Sequence, residues 1–263
     1  MLGAKETIKR MGFGVLVREV LRRIFGITYS YRGIGVRSAR IFRLLKELRS
    51  YGEVWGEGRK IFFKSDIGVL SVSERDLGLL KTDVISMGDC LSFYPLEVSG
   101  KTVVDVGAYL GETALCFLKR GATHVIAYEP LFFNYLVENL SLNKVGHLVE
   151  VKPYGLWFED GRLFINVAGP GSGLEVGDVE VEVRSLSREL GSIPKGSVAK
   201  LDCEGCEWAL LQVPCDILSR IEDWVVEIHG VASPILWKME KCEFRSFKVM
   251  GGGLVSIWRF TYK

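Results

Sequence analysis

Apolar residues recur with two different periods along this chain. In the N-terminal part they return every three or four residues, which indicates two amphipathic helices joined by a glycine-containing turn. In the second of these helices, Ile41, Leu45 and Leu48 share one face, and Arg43 points the opposite way. The pattern therefore predicts a basic helical extension over residues 1–50.

Residues 51–98 change to a shorter period. Val54-Trp55 and Ile61-Phe62-Phe63 flank a Gly-Glu-Gly turn, an arrangement typical of a β-hairpin. The irregular stretch from 65 to 98 is expected to pack as a lid or an edge on the main domain. We therefore predict a β-hairpin and lid-like segment over residues 51–98.

After Gly100, strands and helices alternate. The apolar runs predict strands near 102–106, 124–128, 148–152, 197–202, 223–229, 243–249 and 254–260, with helices at 111–120, 131–143, 205–213 and 233–240. Alternation of this kind predicts βαβ units and a parallel sheet. Three glycines at 251–253 separate the last two strands, which is too short for a parallel crossover, so these strands should form an antiparallel hairpin. Turn-rich β structure is expected at 153–185, and residues 99–263 are predicted to be one α/β domain.

The charge of the chain is unevenly distributed. The net charge is +2, but residues 1–50 contain twelve Lys and Arg against three Glu, which makes +9 and leaves −7 for the rest. A basic segment on an acidic body favours an anionic partner such as RNA. The alternative, a solvated extension whose arginines pair with the body, stays open.

Composition places the chain among ordinary globular proteins, with 48% hydrophobic and 25% charged residues. No apolar run reaches the roughly 18 residues of a transmembrane helix, and the first ten residues do not form a secretory signal. We therefore expect a cytoplasmic protein without a transmembrane segment, and a homo-oligomer is possible. The six cysteines are not expected to form a disulfide framework in that compartment.

The strongest motif is a buried strand that runs into a glycine turn, Val-Val-Asp-Val-Gly-Ala-Tyr-Leu-Gly-Glu-Thr at 103–113. Gly107 and Gly111 would let a ligand approach the backbone closely. The spacing Asp-x-Gly-x-x-x-Gly is neither the dinucleotide fingerprint nor a phosphate loop. Asp105 places a carboxylate near the turn, which favours a cationic ligand such as an ammonium or a sulfonium. A tight turn without any ligand is the alternative.

Glu129, followed by Pro130, lies 24 residues after Asp105, at the tip of the next predicted strand. An acidic residue there can accept hydrogen bonds from both ribose hydroxyls. A helix cap is the ordinary explanation of such a Glu, but the spacing from Asp105 favours ribose binding. The predicted cofactor-binding residues are Asp105, Gly107, Ala108, Tyr109, Gly111, Thr113, Glu129, Pro130 and Asp202.

Acidic residues also follow two later strands. Asp202, Glu204 and Glu207 come after one, and Glu227 and His229 end the other, where they point to the same face. Open α/β sheets bind ligands at the carboxyl ends of their strands. Carboxylates at this density repel one another, a cost that a structural role alone does not explain. The predicted catalytic residues are therefore His229, Glu204, Asp202 and Glu227.

Two features of this region suggest metal chemistry. Cys203 and Cys206 have zinc or redox spacing, but no second pair accompanies them, so we expect two buried small hydrophobic residues that support the loop. Asp202, Glu204 and Glu227 could hold a divalent cation, which stays an alternative, and no dedicated metal site is predicted.

Taken in order, these motifs resemble the FkbM-type methyltransferases over about residues 90–250. The resemblance rests on Asp105-Val-Gly-Ala, Glu129-Pro, Asn139 with Asn143, Leu186-Ser-Arg-Glu-Leu190, Lys200-Leu-Asp-Cys-Glu-Gly-Cys-Glu207 and Val226-Glu-Ile-His229. It implies a class I methyltransferase fold, a Rossmann-like sheet, with S-adenosylmethionine as cofactor and O-methylation of sugar or polyketide hydroxyls. Tyr109-Leu110 stands where Asn-Ile is usual, and both Cys203 and Cys206 depart from the pattern. The basic extension lies outside the resemblance, so the acceptor is undetermined.

The predicted function is S-adenosylmethionine-dependent methyl transfer to a hydroxyl of a sugar, a glycan or another small molecule. A hydroxyl must lose its proton, and His229 or Glu204 could act as the base. If His229 is the base, the rate should rise with pH through about 6.5, the ordinary imidazole pKa. Ribose methylation of RNA, with residues 1–50 on the nucleic acid, and a non-catalytic cofactor-binding or assembly module are the alternatives.

Overall fold

The computed structural model describes residues 29–31, 34–36, 39–80, 90–166, 177 and 179–263. The first predicted helix, most of the basic residues of the extension and the turn at 169–171 lie outside them. None of the helices in these ranges is long and apolar enough to cross a membrane. The chain divides into two compact units, one made of residues 1–65 and 72–85 and the other of residues 66–71 and 86–263.

The smaller unit begins with the hairpin of β1 (Tyr29–Tyr31) and β2 (Ile34–Val36). Helix α1 (Ala39–Tyr51) follows, and its predicted apolar face is buried at Leu45 and Leu48. Strands β3 (Glu53–Glu57) and β4 (Lys60–Ser65) pair as the predicted antiparallel hairpin. Strand β5 (Gly68–Ser73) crosses the division between the units and leads into a 3₁₀ helix, Glu74–Leu79.

The larger unit alternates strands and helices as predicted. Its elements are α2 (Cys90–Phe93), β6 (Thr102–Val106), α3 (Glu112–Lys119), β7 (His124–Tyr128), α4 (Phe133–Leu142), β8 (Val149–Lys152), β9 (Gly155–Trp157), β10 (Gly161–Ile165), β11 (Val179–Ser185), α5 (Leu186–Ser192), β12 (Ser197–Leu201), α6 (Cys215–Leu218), β13 (Ile221–His229), α7 (Ser233–Lys241), β14 (Phe244–Gly252) and β15 (Val255–Tyr262). Two 3₁₀ helices, Gly146–Leu148 and Cys206–Gln212, complete it.

Seven strands form the central sheet, in the order β14-β15-β13-β12-β6-β7-β8. Strands β8, β7, β6, β12 and β13 are parallel, and β15 runs antiparallel to both β13 and β14. This confirms the predicted α/β class, with a mostly parallel sheet and a C-terminal antiparallel hairpin. The predicted β structure near 153–185 is a separate small sheet in the order β10-β11-β9.

The strand order of the central sheet reverses between the neighbouring strands β6 and β12. From β6 the chain proceeds to β7 and β8 on one side, and later returns to β12 and β13 on the other. Such a switch point opens a crevice at the carboxyl ends of the strands. Gly107, with φ +78°, lies so close to the loop after β12 that a Cβ there would stand 1.8 Å from the Asp202 carbonyl oxygen. Glycine is therefore required for the two loops to meet.

All six cysteines form disulfides, so the expectation of free thiols is wrong. The pairs are Cys90–Cys116, Cys203–Cys206 and Cys215–Cys242. The first links α2 to α3, the second closes the loop after β12, and the third joins the start of α6 to the residue after α7. The sequence did not indicate this because pairing depends on which Cβ atoms the fold brings together.

Candidate active site

The first cluster of the site lies where β6 ends, and we call Asp105, Lys200 and Asp202 the cofactor corner. Asp105 is fully buried and accepts a hydrogen bond from the Thr113 hydroxyl at 2.5 Å. Its other oxygen lies 3.3 Å from the Lys200 ammonium. The carboxylate that the sequence predicts at this turn is therefore paired with a lysine inside the protein.

Lys200 was not among the predicted site residues, although its place in a Lys-x-Asp motif is a signal. Its buried ammonium donates to the carbonyl oxygens of Gly107 at 2.7 Å and Val106 at 3.3 Å, and lies 4.0 Å from Asp202. Burial lowers the pKa of Lys200, but Asp105 and Asp202 outweigh burial and keep the pKa above its ordinary value. The positively charged Lys200 thus links the turn after β6 to the loop after β12.

Tyr94 is a second residue that the sequence analysis missed, because no motif surrounds it. Its buried hydroxyl donates to an Asp202 carboxylate oxygen at 2.7 Å, and the Lys200 ammonium lies 5.5 Å from the centre of its ring. Burial, followed by the charge of Asp202, raises the pKa of Tyr94 well above its ordinary value. Tyr94 therefore acts as a permanent donor that orients Asp202.

Glu129 is 5% exposed and receives three backbone hydrogen bonds. One oxygen accepts from the amides of Leu131 at 2.8 Å and Phe132 at 2.9 Å, and the other accepts from the Tyr109 amide at 2.9 Å. Burial raises the pKa of Glu129, and the three amides oppose that rise. Glu129 thus orders the turn that precedes α4, and within the described residues one lone pair of its second oxygen remains for a ribose hydroxyl.

The other predicted cofactor-binding residues line the turn between β6 and α3. The amides of Gly107 and Ala108 donate to the Tyr128 carbonyl, at 3.0 and 3.2 Å, so they are used inside the sheet. Tyr109 has φ +48° and packs edge-on against Phe132, with 4.9 Å between the ring centres. The remaining predicted residues are Gly111, which precedes α3 with φ +92°, Thr113 on α3, and Pro130 directly after Glu129.

Glu112, the first residue of α3, is a third residue that the prediction omitted. It is 4% exposed, and one of its oxygens has no hydrogen-bond partner within the described residues. Burial raises its pKa to about 8, against the attraction of Lys200. With that pKa the Glu112 carboxyl group is mostly protonated at neutral pH, and a cation beside its unpartnered oxygen would favour the charged form.

The second cluster lies at the end of β13, and we call Glu204, Glu207, Glu227 and His229 the acid crevice. Fully buried Glu207 accepts from the His229 amide at 2.9 Å and lies 3.2 Å from its Nδ1. Its second oxygen accepts from the Gly205 amide at 2.8 Å. Glu207 therefore holds the imidazole ring and the loop after β12 in one arrangement.

Two further carboxylates contact the far side of the imidazole. The Nε2 atom of His229 lies 3.0 Å from Glu204 and 3.6 Å from Glu227. Glu204 takes a left-handed conformation with φ +54°, inside the four-residue loop closed by the Cys203–Cys206 disulfide. The two cysteines thus support the loop as a covalent bridge, which corrects the expectation of two small hydrophobic residues.

This arrangement changes the expected acid–base behaviour. Hydrogen bonds to Glu204 and Glu207 raise the pKa of His229 to about 10, so the expected value of 6.5 is wrong and the ring is an imidazolium at neutral pH. Burial, with the nearby charge of Asp202, raises the pKa of Glu227 to about 7. Glu227 is therefore better poised than His229 to accept a proton near neutral pH.

The structure brings three of the four predicted catalytic residues into one cluster. Asp202 lies in the cofactor corner, and Glu204 and Glu227 both contact His229 in the acid crevice. Among the residues that the structure describes, no group of three His, Cys, Asp or Glu side chains has the arrangement of a metal site.

Comparison with known proteins gives matches of two kinds. The methyltransferase FkbM domain matches residues 105–246. A relative named Uncharacterized protein 65, from Sulfolobus islandicus filamentous virus (isolate Iceland/Hveragerdi), is 30% identical over 152 residues, which are 58% of this chain and 74% of that protein.

The chain is also similar to solved structures. The ribosomal protein L11 methylase from Lactobacillus delbrueckii subsp. bulgaricus is 18% identical, with 66% of this chain and 76% of that chain covered and a TM-score of 0.43. TYW2 from M. jannaschii, in complex with AdoMet, is 12% identical, with 80% and 89% covered and a TM-score of 0.46. The domain match covers more than half of the chain and spans both clusters of the site, so the chain belongs to the FkbM methyltransferase family.

Proposed function

We propose that this protein transfers a methyl group from S-adenosylmethionine to a hydroxyl of a sugar, a glycan or another small molecule, with Glu227 as the base. The observation that carries the proposal is the position of Asp202 between the two clusters. It contacts Tyr94 and Lys200 in the cofactor corner, and its loop continues directly into Glu204, which contacts His229.

The residues present fit the proposed cofactor. Asp105, Glu112, Glu129 and Asp202 bring four carboxyl groups to this part of the site, and burial raises the pKa of Glu112 and of Glu129, with the charge of Lys200 opposing that rise. An ammonium and a sulfonium are the cations that such a set would accept. Glu129 would hold the ribose, and the unpartnered oxygen of Glu112 would face the positive end. When bound, S-adenosylmethionine supplies an electrophilic methyl group.

The acid crevice would prepare the acceptor. Glu227 would take the proton from the acceptor hydroxyl, because its pKa of about 7 makes it an effective base near neutral pH. His229, held by Glu204 and Glu207, would stay protonated and keep the Glu227 carboxylate oriented at 3.6 Å. Positioning of the two reactants supplies the rest of the rate enhancement.

The excess of carboxyl groups in the acid crevice favours a neutral acceptor. Glu204, Glu207 and Glu227 surround one imidazolium, so the crevice repels a phosphodiester backbone. This supports a small-molecule or glycan hydroxyl over RNA as the acceptor.

Calorimetric titration with S-adenosylmethionine tests the cofactor assignment. Glu129→Ala removes the charged acceptor of one hydrogen bond donated by a ribose hydroxyl, at about 1.5–3 kcal/mol, so affinity should fall about tenfold to a hundredfold. Glu159→Ala, at an exposed position, is the matched control and should bind normally. Unchanged affinity in a folded Glu129→Ala protein would overturn the assignment.

A transfer assay then tests the reaction. Release of S-adenosylhomocysteine should depend on a neutral hydroxyl acceptor and not on RNA. Cofactor binding without transfer to any hydroxyl acceptor would contradict the proposal and favour a binding module.

A further inference from the structure

A patch of exposed apolar side chains borders the acid crevice. Val231, Leu254 and Val255 are 67%, 75% and 42% exposed, and we call these three residues the apolar ledge. Val231 follows β13, and the other two lie where the chain turns from β14 into β15. All three stand at the same edge of the sheet as His229.

Strand register places the ledge against the crevice. Val255 pairs with His229 and Ile257 pairs with Glu227 across the antiparallel β13–β15 ladder. Directly opposed residues in such a ladder carry their side chains on the same face. The Gly230 amide donates to the Leu254 carbonyl at 2.6 Å, which brings Leu254 beside Val231. The apolar surface therefore begins one strand away from the proposed base.

The ledge has no evident structural task. The apolar row on this face is buried at Ile257 and becomes exposed at Val255, and Leu254, in the turn before β15, is also exposed. Single exposed hydrophobic residues are ordinary, but contiguous ones beside ionised side chains mark binding surfaces. The neighbouring turn is formed by glycines with positive φ at 251 and 253, so it does not need an apolar residue to form.

We propose that the apolar ledge holds the hydrocarbon part of an amphipathic acceptor whose neutral, hydroxyl-bearing head group enters the acid crevice. The continuity of the ledge with the crevice argues for the acceptor as its occupant. The carboxylates of the crevice argue for an uncharged head, such as a glycoside, because they repel an anionic one. This inference rests on the proposed function and narrows its acceptor to the class of glycolipids.

Two glucosides that share one head group test the inference on the full chain. The probes are n-octyl β-D-glucoside, kept below its micelle concentration, and methyl β-D-glucoside, both titrated against tryptophan fluorescence. Trp208 is a suitable reporter because its ring lies next to Gly230. We expect the octyl glucoside to bind at least tenfold more tightly, which corresponds to about 1.4 kcal/mol.

Matched variants assign that preference to the ledge. The double variant Leu254→Ser, Val255→Thr should reduce the octyl preference to less than threefold. Phe164→Ser removes an equally exposed apolar residue, 59% exposed on β10 in the small sheet, and should retain it. The inference is overturned if the octyl glucoside binds no more tightly than the methyl glucoside, if the ledge variant retains the preference, or if the control loses it.

A second copy of the chain or a membrane on the apolar ledge would give different results. A ledge variant that converts a dimer to a monomer in sedimentation would make the ledge an interface between copies. Ledge-dependent co-sedimentation with phosphatidylcholine vesicles would make it a membrane contact. Either result overturns the inference. Calorimetry with S-adenosylmethionine on the same proteins distinguishes a failure of this inference from a failure of the proposed function. The ledge variant should bind the cofactor normally.

Discussion

The cofactor corner and the acid crevice each place carboxyl groups around one cation at the same edge of the sheet, yet that cation is buried in the corner and partly exposed in the crevice. In the corner, Asp105 and Lys200 have side chains 0% and 2% exposed and contact each other directly. In the crevice, the side chains of Glu204, Glu227 and His229 are 20–31% exposed. A fully buried charge is tolerated only when it is paired, whereas a half-buried one can keep a pKa near neutral pH.

The difference separates two tasks. The charges of the corner are paired with one another, which suits the binding of a cofactor. The crevice contains groups whose protonation can change, with Glu227 at a pKa of about 7, which suits proton removal. The predictions below test this separation.

Loss of the base should have the largest effect. Glu227→Gln keeps the size of the side chain but cannot take a proton, so turnover at neutral pH should fall about 10²- to 10⁴-fold. The rate of the unmodified protein should rise with pH through about 7, and the variant should lose that rise. Steady-state rates with an active acceptor between pH 5.5 and 10.5 measure both.

Glu240→Gln, at an exposed position on α7, is the control and should behave normally. Normal turnover and an unchanged pH profile in Glu227→Gln would show that Glu227 is not the base. A rise centred near pH 10 would return that role to His229.

Removal of the buried cation should mainly affect stability. Lys200→Met leaves Asp105 buried without its partner, and breaking a buried pair costs about 3–5 kcal/mol in the free energy of unfolding. Urea denaturation measures this loss. Lys195→Met, at an exposed position, should change stability by less than about 0.5 kcal/mol. Equal stability of the two variants would refute the structural role of Lys200.

The contribution of each disulfide to the free energy of unfolding should depend on the length of the loop that it closes. In the chain-entropy account, removing Cys215–Cys242, with a separation of 27 residues, costs about 3.5 kcal/mol, and removing Cys203–Cys206, with a separation of 3, costs about 2 kcal/mol. The substitutions Cys203→Val with Cys206→Ala should retain folding and methyl transfer. Urea denaturation and the transfer assay check these outcomes, and stoichiometric zinc that disappears in this variant would contradict a purely structural role.

The His229 ion pairs should give the smallest effect. The folded-state pKa lies above its ordinary value, so the stabilisation is fully present below about pH 6.5 and is lost as pH rises towards about 10. Exposure to solvent limits it to about 1 kcal/mol. Denaturation at pH 6.5 and 9.5 should show a loss in both proteins, because Glu112 and Glu227 also lose protons in this range, and the loss should be about 1 kcal/mol larger in the unmodified protein than in His229→Gln. A loss of the same size in the variant would assign the effect to other groups.

Periodicity predicted the central strands closely. Strands β6 and β7 begin and end at the predicted residues, and β12 differs by one residue, because each is a short run of mostly apolar residues. The region 205–213 was predicted as a helix and is a 3₁₀ helix at Cys206–Gln212, while α5 was not predicted. Short helices have too few turns to produce a readable period.

The site was predicted in its residues but not in its chemistry. Motif spacing placed Asp105, Glu129, Asp202 and Glu227 at strand ends, and the parallel sheet brings those ends to one edge. The sequence could not indicate that Glu207 would bind both the backbone and the ring of His229. It therefore could not show that His229 would be an imidazolium.

The sequence by itself determined the α/β class, the family and the set of acidic strand ends, since these depend on local periodicity and on motif order. The tertiary structure decided the three disulfides, the Lys200 partners and the two shifted pKa values in the crevice. These properties depend on distances of a few ångströms between residues far apart in the chain, and on the burial of each charge. Electrostatic energy varies steeply with both, and spacing along a sequence records neither.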